Sequence, residues 1–220
     1  MIDEDTSVKN RPAKKVGLRQ AKKLDKEYRI KEAARALFIE KGYENATIRQ
    51  ITKRADVGIG TIFRYAANKR DLLFFIYNDM RADFRSQSVE DIPSDISLIA
   101  QLEQFFGHLI EFFATQPELA RDILRETALY DSGLQMERYW RTRKAAEHQL
   151  THLLKRNQEA GRIAPETDVK LLTILLFDIY RSALRRWVLK DGKDIQNGLA
   201  MVVPLFQIAL KGVVARDGEL

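Results

Sequence analysis

The sequence predicts an all-α protein of about nine helices in two parts, and three observations carry that expectation. Apolar residues recur at helical spacing through most of the 220 residues, and no segment alternates apolar and polar as a half-buried strand would. The stretch from Thr47 to Leu73 packs three helix start or stop signals into a short span. Charge is one-sided: residues 1–90 hold 20 Lys and Arg against 13 Asp and Glu, whereas residues 91–220 hold 17 against 18. A basic first part beside a neutral second part suggests that the first meets a polyanion and the second has another task.

The totals narrow the class. Hydrophobic residues make up 45% of the chain, enough for a buried core. No cysteine is present, so disulfides, thiolate metal sites and cysteine nucleophiles are excluded together. The acidic start, MIDEDTSVKN, lacks the basic-then-apolar order of a secretory signal. The apolar run Leu171–Phe177 is far shorter than the roughly 20 residues of a membrane span. A soluble cytoplasmic protein with no membrane partner is expected.

Residues 1–24, with Pro12, Gly17 and few apolar side chains, read as a flexible basic arm. From about Asp25 the pattern turns helical: Ile30, Ala33, Ala34, Leu37 and Phe38 share one face, and Gly42 is placed to end the helix. Thr47 and Gln50 form a capping-box pair, so a second helix should start there with Ile48, Ile51 and Ala55 inward. Gly58 and Gly60 disfavour its continuation. A short helix can run from Thr61 with Ile62 inward, leaving Thr61, Arg64 and Tyr65 outside. Asn68 can cap the next helix, with Asp71 near its positive end. The result is a rigid helix-turn-helix whose short helix suits a major groove and whose exposed groups suit phosphates and base edges. This domain is placed at residues 25–85.

Helices are then expected over about 72–84, 96–115, 118–130, 136–158, 168–189 and 195–214. Pro93, Pro117, Asp131-Ser132-Gly133, Gly161 with Pro165, and Asp191-Gly192 mark the breaks. Residues 86–220 form a second domain.

The order RIKEAARALFIEKGYENATIRQITKRADVGIGTIFRYAANKRDLL, Arg29 to Leu73, resembles the N-terminal domain of the TetR family of transcriptional regulators. Lys-Gly-Tyr, then Ala-Thr-Ile, then Val-Gly-x-Gly-Thr-Ile-Phe-x-Tyr and Asn-Lys-x-x-Leu-Leu carry the likeness. The resemblance implies DNA contacts position by position. Thr47 falls where the second helix meets a phosphate, and Arg49 where some members reach a base or phosphate. Ile59, Gly60 and Thr61 open the recognition helix. Phe63 replaces a frequent Tyr, so a hydroxyl is lost. Tyr65 and Lys69 match phosphate-binding positions. Arg64 is the best candidate for base reading, because a guanidinium can pair with guanine through two hydrogen bonds. Ala66 departs from the family's large apolar plug, which Phe74 or Phe75 could supply instead.

No catalytic constellation or phosphate loop is evident in the second half, so neither an enzyme nor a cofactor is expected. His148 and His152 lie four apart on a helix, but no third ligand suggests a metal site. The last two helices carry apolar residues on more than one face, among them Leu171, Ile174, Leu175, Val203 and Ile208. Such helices need a second cover, which a second copy of the chain would provide. A homodimer on an inverted-repeat DNA operator follows. The resemblance further implies an inducer inside the second domain. Candidate walls are Phe105, Phe106, Leu109, Phe113, Tyr130, Tyr139, Trp140, Phe177 and Tyr180, whose aromatic character suits an apolar or amphipathic small molecule. The expected function is therefore a ligand-released repressor of the TetR type. The alternatives are a DNA-binding protein governed by a protein partner or by no ligand, and, further off, an enzyme in the second domain.

Overall fold

A computed structural model describes residues 17–84, 89–128, 130–190 and 192–211. Among them lie nine α-helices and no strand: α1 (Leu18–Lys41), α2 (Ile48–Ala55), α3 (Ile59–Ile62), α4 (Lys69–Asp83), α5 (Leu98–Ala114), α6 (Pro117–Thr127), α7 (Met136–Glu159), α8 (Val169–Lys190) and α9 (Ile195–Lys211). A single 3₁₀ turn, Val89–Asp91, opens the segment between α4 and α5. Arg156 of α7 ties that segment down by donating to the carbonyl of Ile92 at 3.2 Å.

The helix ends follow local chemistry. Gly42 ends α1 at φ +77°, a backbone that a side chain would strain. Pro117 opens α6, where its missing N–H has no helical acceptor to serve. Ser97 caps α5 by accepting from the amide of Ala100 at 3.2 Å.

One expectation is corrected at the start. The helix begins at Leu18, not Asp25, so residues 18–24 of the expected arm are the first turns of α1. Leu, Arg, Gln, Ala and Lys are all good helix formers, and no Gly or Pro interrupts them after Gly17. An apolar stripe is not needed to extend an exposed helix. Residues 1–16 of the arm, and residues 212–214 of the expected last helix, lie outside the described residues.

The first three helices form a small head. Ile30, Ala34, Phe38, Ile51 and Ile62 are buried in its centre. Helix α4 leaves the head and packs against α1 on one side and α7 on the other. The body is α5 to α9 around Phe106, Trp187 and Phe206, all but fully buried. Helix α9 lies close on α5 and α8: a Cβ at Gly198 would sit 2.8 Å from Ile110 and 3.3 Å from Trp187. The Trp187 indole N–H donates to the carbonyl of Asp194 at 2.8 Å, which fixes the turn into α9.

Candidate DNA interface and effector cavity

The capping box forms as the sequence predicts. The Gln50 amide donates to Thr47 Oγ1 at 3.3 Å, and the Thr47 amide donates to Gln50 Oε1 at 3.1 Å. Asp56 takes the left-handed backbone, φ 50°, and turns the chain toward α3. Ile62 is fully buried and pins α3 to the head. Outside it, Ile59 is 53% and Phe63 46% exposed, which is high for large apolar side chains. Arg49 and Arg64 are exposed, and their side chains make no hydrogen bond or ion pair among the described residues. A Cβ added at Gly60 would meet open space, so nothing inside the protein requires a glycine there.

Two other expected contact residues face inward. Tyr65 is half-buried and stacks on Phe75, with ring centroids 5.6 Å apart. Lys69 donates to the carbonyls of Tyr43 at 2.9 Å and Glu44 at 3.0 Å, and lies 4.5 Å over the Tyr43 ring. Its ammonium is thus held by the loop after α1. Ala66 is fully buried, and of the two suggested plugs it is Phe75 that stands in the head. Phe74 turns to the body instead, stacked on Tyr130 at 3.7 Å between centroids.

The first turn of α4 is where head and body join. Asp71 is fully buried. Its carboxylate accepts from the amides of Ala67 at 2.8 Å, Leu134 at 2.8 Å and Gln135 at 2.9 Å, and from the Tyr130 hydroxyl at 2.5 Å. Four donors satisfy a buried charge that would otherwise be very costly. Gln135 also reaches back, donating from Nε2 to the carbonyl of Tyr65 at 2.9 Å. Thus the loop before α7 is bonded both to the segment between α3 and α4, at Tyr65, and to the first turn of α4, at Asp71.

A cavity of about 120 Å³ lies between α4, α5, α6, α7 and α8. Of the nine expected wall residues, it brings together Leu109, Phe113, Tyr139, Phe177 and Tyr180. Phe105 lines an adjoining chamber of about 160 Å³, together with His108 and Gln149. The other three stand elsewhere. Phe106 is core, packed on Tyr180 and Phe206. Tyr130 is taken by Asp71. Trp140 is exposed on the outer side of α7, with the Arg143 guanidinium 4.9 Å from its ring. The sequence reading missed the rest of the walls, Tyr77, Arg81, Thr142, Arg143 and Arg181 among them. On α7 the signal was available, since Tyr139, Thr142, Arg143 and Ala146 form a stripe at i, i+3, i+4 and i+7. Burial pushes the Tyr77 phenol up to about 12, and burial likewise raises Tyr180.

Helix α8 leaves Leu171, Ile174, Leu175 and Leu189 exposed along one line, and α9 leaves Ile208 exposed. His152 stands 3.5 Å from Glu90, and no group of three or more metal-capable side chains occurs among the described residues. Within the same residues no helix is long and apolar enough to cross a membrane.

Residues 30–75 match the model of the bacterial regulatory proteins of the tetR family. The fatty acid metabolism regulator protein of Bacillus subtilis is 26% identical over 172 residues, 78% of this chain and 88% of that protein. Among solved structures, the fatty acid degradation regulator FadR from Bacillus halodurans is 26% identical with a TM-score of 0.61, covering 87% of this chain and 97% of that one. FadR from Bacillus subtilis, solved in complex with stearoyl-CoA, is 24% identical with a TM-score of 0.64, covering 84% and 98%. The helix-turn-helix and these likenesses agree: residues 30–75 form a DNA-binding domain of the tetR family kind, and the chain as a whole is similar to transcriptional regulators that carry it.

Proposed function

We propose that the chain is a homodimeric repressor that leaves an inverted-repeat operator when an apolar or amphipathic small molecule enters the cavity. The observation that carries this reading is the placement of α4. Its first turn is bonded to the segment that follows α3, and its Tyr77 and Arg81 line the cavity. An occupant of the cavity therefore touches the same helix that holds the DNA-facing element. The occupant shifts the equilibrium only by its differential affinity for the two head positions.

On the DNA side, Arg64 is the base reader and Arg49 and Thr47 contact the backbone. Ile59 and Phe63 meet thymine methyls or sugars, and Gly60 and Thr61 allow close approach at the groove. Tyr65 and Lys69 contact phosphate only after leaving their present partners. The exposed line on α8 and Ile208 of α9 are the surfaces that meet a second copy, which sets two recognition helices one DNA turn apart. The FadR of Bacillus subtilis, which holds stearoyl-CoA, supports a small-molecule effector in the body.

Fluorescence anisotropy tests this reading. The full chain is titrated against the DNA just upstream of its own gene and against a shuffled control at physiological salt. Tight, selective binding supports the regulator; equal, weak, salt-sensitive binding to both removes the specific-repressor reading.

A further inference from the structure

Arg81 stands on the last turns of α4 and lines both the aromatic cavity and its adjoining chamber. Two other arginines border the cavity, and both are compensated. Arg143 donates to Glu147 at 3.2 Å. Arg181 pairs with Asp178 and lies 3.9 Å from Glu147. Arg81 differs: its guanidinium rests over the Phe112 ring, 4.5 Å from the centroid, and no carboxylate pairs with it among the described residues. A ring face stabilises a cation less than a carboxylate does. Arg81 is thus the uncompensated charge of the site.

A second donor in the same cavity also lacks a partner. Tyr180 is 5% exposed, and its hydroxyl is buried without a hydrogen bond. Leaving a buried hydroxyl unpaired is unfavourable, and such a group calls for an occupant. Both unmet groups can donate, and the guanidinium can do nothing else. The complementary chemistry is an acceptor carrying negative charge, and a carboxylate accepts only, through two oxygens. The remaining walls are mostly apolar or aromatic, among them Leu109, Phe113, Tyr139 and Phe177, and the hydroxyls of Thr127 and Thr142 already donate to carbonyls of their own helices. The volume sets the size: about 120 Å³ is slightly below the roughly 150 Å³ of an apolar cavity that admits benzene.

We infer that Arg81 and Tyr180 form the anchor of an effector site for an apolar carboxylic acid the size of one ring or a short chain. The carboxylate lies against the guanidinium and the phenol, and the apolar body fills the aromatic side. This rests on the ligand-regulated reading above and narrows it, because it assigns the charge and size of the ligand. Since Arg81 belongs to α4, capture of the anion acts on the helix bonded to the head.

The test is calorimetric titration of the full chain with benzoate and hexanoate, and with their neutral isosteres benzamide and hexanamide. The acids are expected to bind at least tenfold tighter than the amides in the wild-type protein. Arg81→Gln should remove that preference, Arg81→Lys should keep part of it, and Tyr180→Phe should weaken the acids a few-fold. Equal binding of acid and amide by the wild type, which needs no variant to fold, overturns the inference. So does undiminished acid binding by a folded Arg81→Gln protein. If stearoyl-CoA binds and the short acids do not, the carboxylate anchor falls while the ligand-regulated reading stands. If nothing binds, the anchor falls too, and the operator titration decides the regulator reading independently.

Discussion

The buried carboxylate of Asp71 and the hydroxyl of Tyr130 meet at 2.5 Å across 59 residues of sequence. One belongs to the helix that leaves the DNA head, the other to the loop between α6 and α7. Tyr130 is itself stacked on Phe74, one turn of α4 further on, and Phe74 packs edge-on against Tyr139 of the cavity wall. An aromatic chain thus runs from the cavity to the carboxylate that fixes the start of α4.

That joint should be fragile to small substitutions. A Cβ at Gly133 would collide with the Asp71 carboxylate, and the backbone there has φ +138°. Gly133→Ala is expected to lower the unfolding free energy by about 2–4 kcal/mol, through strain and a displaced buried charge. Asp71→Asn should cost about 1–3 kcal/mol, since one side of the amide presents donors to donors. Urea denaturation measures both; wild-type midpoints would show that the joint carries no stability.

Arg64 and Arg49 should separate into two kinds of contact. Arg64→Ala is expected to lose about 1–3 kcal/mol at one operator position and relax the preference there. Arg49→Ala should weaken all sequences alike and reduce the slope of log affinity against log salt by about 0.9. Anisotropy titrations on an operator and its single-base variants over a salt series distinguish them. Uniform weakening by Arg64→Ala makes that residue a phosphate contact.

The exposed line on α8 can be broken with one charge. Leu175 is 46% exposed and stands between Leu171 and Ile179 on that helix. Leu175→Arg is expected to yield a folded monomer by sedimentation at micromolar concentration, with specific DNA binding reduced at least tenfold. A dimer that survives both this change and Ile174→Arg would place the contact on another surface.

Stability should fall at alkaline pH. Burial raises the Tyr77 phenol to about 12 and also raises Tyr43, Tyr130 and Tyr180. A phenol with a higher pKa folded than unfolded contributes stability that is complete below its unfolded value, about 10, and is lost as pH rises through the folded value. The unfolding free energy should therefore hold to about pH 10 and drop above it, by up to ~1.4 kcal/mol per pH step for each phenol released. Tyr77→Phe should reduce that slope. A flat profile to about pH 12 would contradict the burial of these phenols.

The local parts of this molecule were legible and the long-range parts were not. The capping box of Thr47 and Gln50, the stop at Gly42 and the inward Ile62 involve neighbours in sequence, so residue type and spacing reveal them. Asp71 looked like an ordinary acid in a first helical turn. Its meaning lies in Tyr130, Leu134 and Gln135, which no periodicity connects to it. The cavity was half legible for a related reason. Aromatic residues advertise burial, yet Phe106 and Phe177 have the same chemistry and only packing decides which one borders a void. Arg81 was passed over because an arginine at the end of a helix ordinarily faces water.

Helix α4 also sets a mechanical scale. Asp71 and Arg81 are ten residues apart, about 15 Å along the axis at 1.5 Å per residue. A tilt of about 5° pivoting at the cavity end moves the head end by a little over 1 Å, and across the twofold axis of the proposed dimer the two heads would separate or approach by about twice that. Hydrogen bonds to base edges tolerate about half an ångström in length, whereas attraction to phosphates fades over a Debye length of about 8 Å. Such a lever would turn off discrimination well before it turns off adhesion, so an effector would return the protein to random sliding on DNA instead of expelling it into solution.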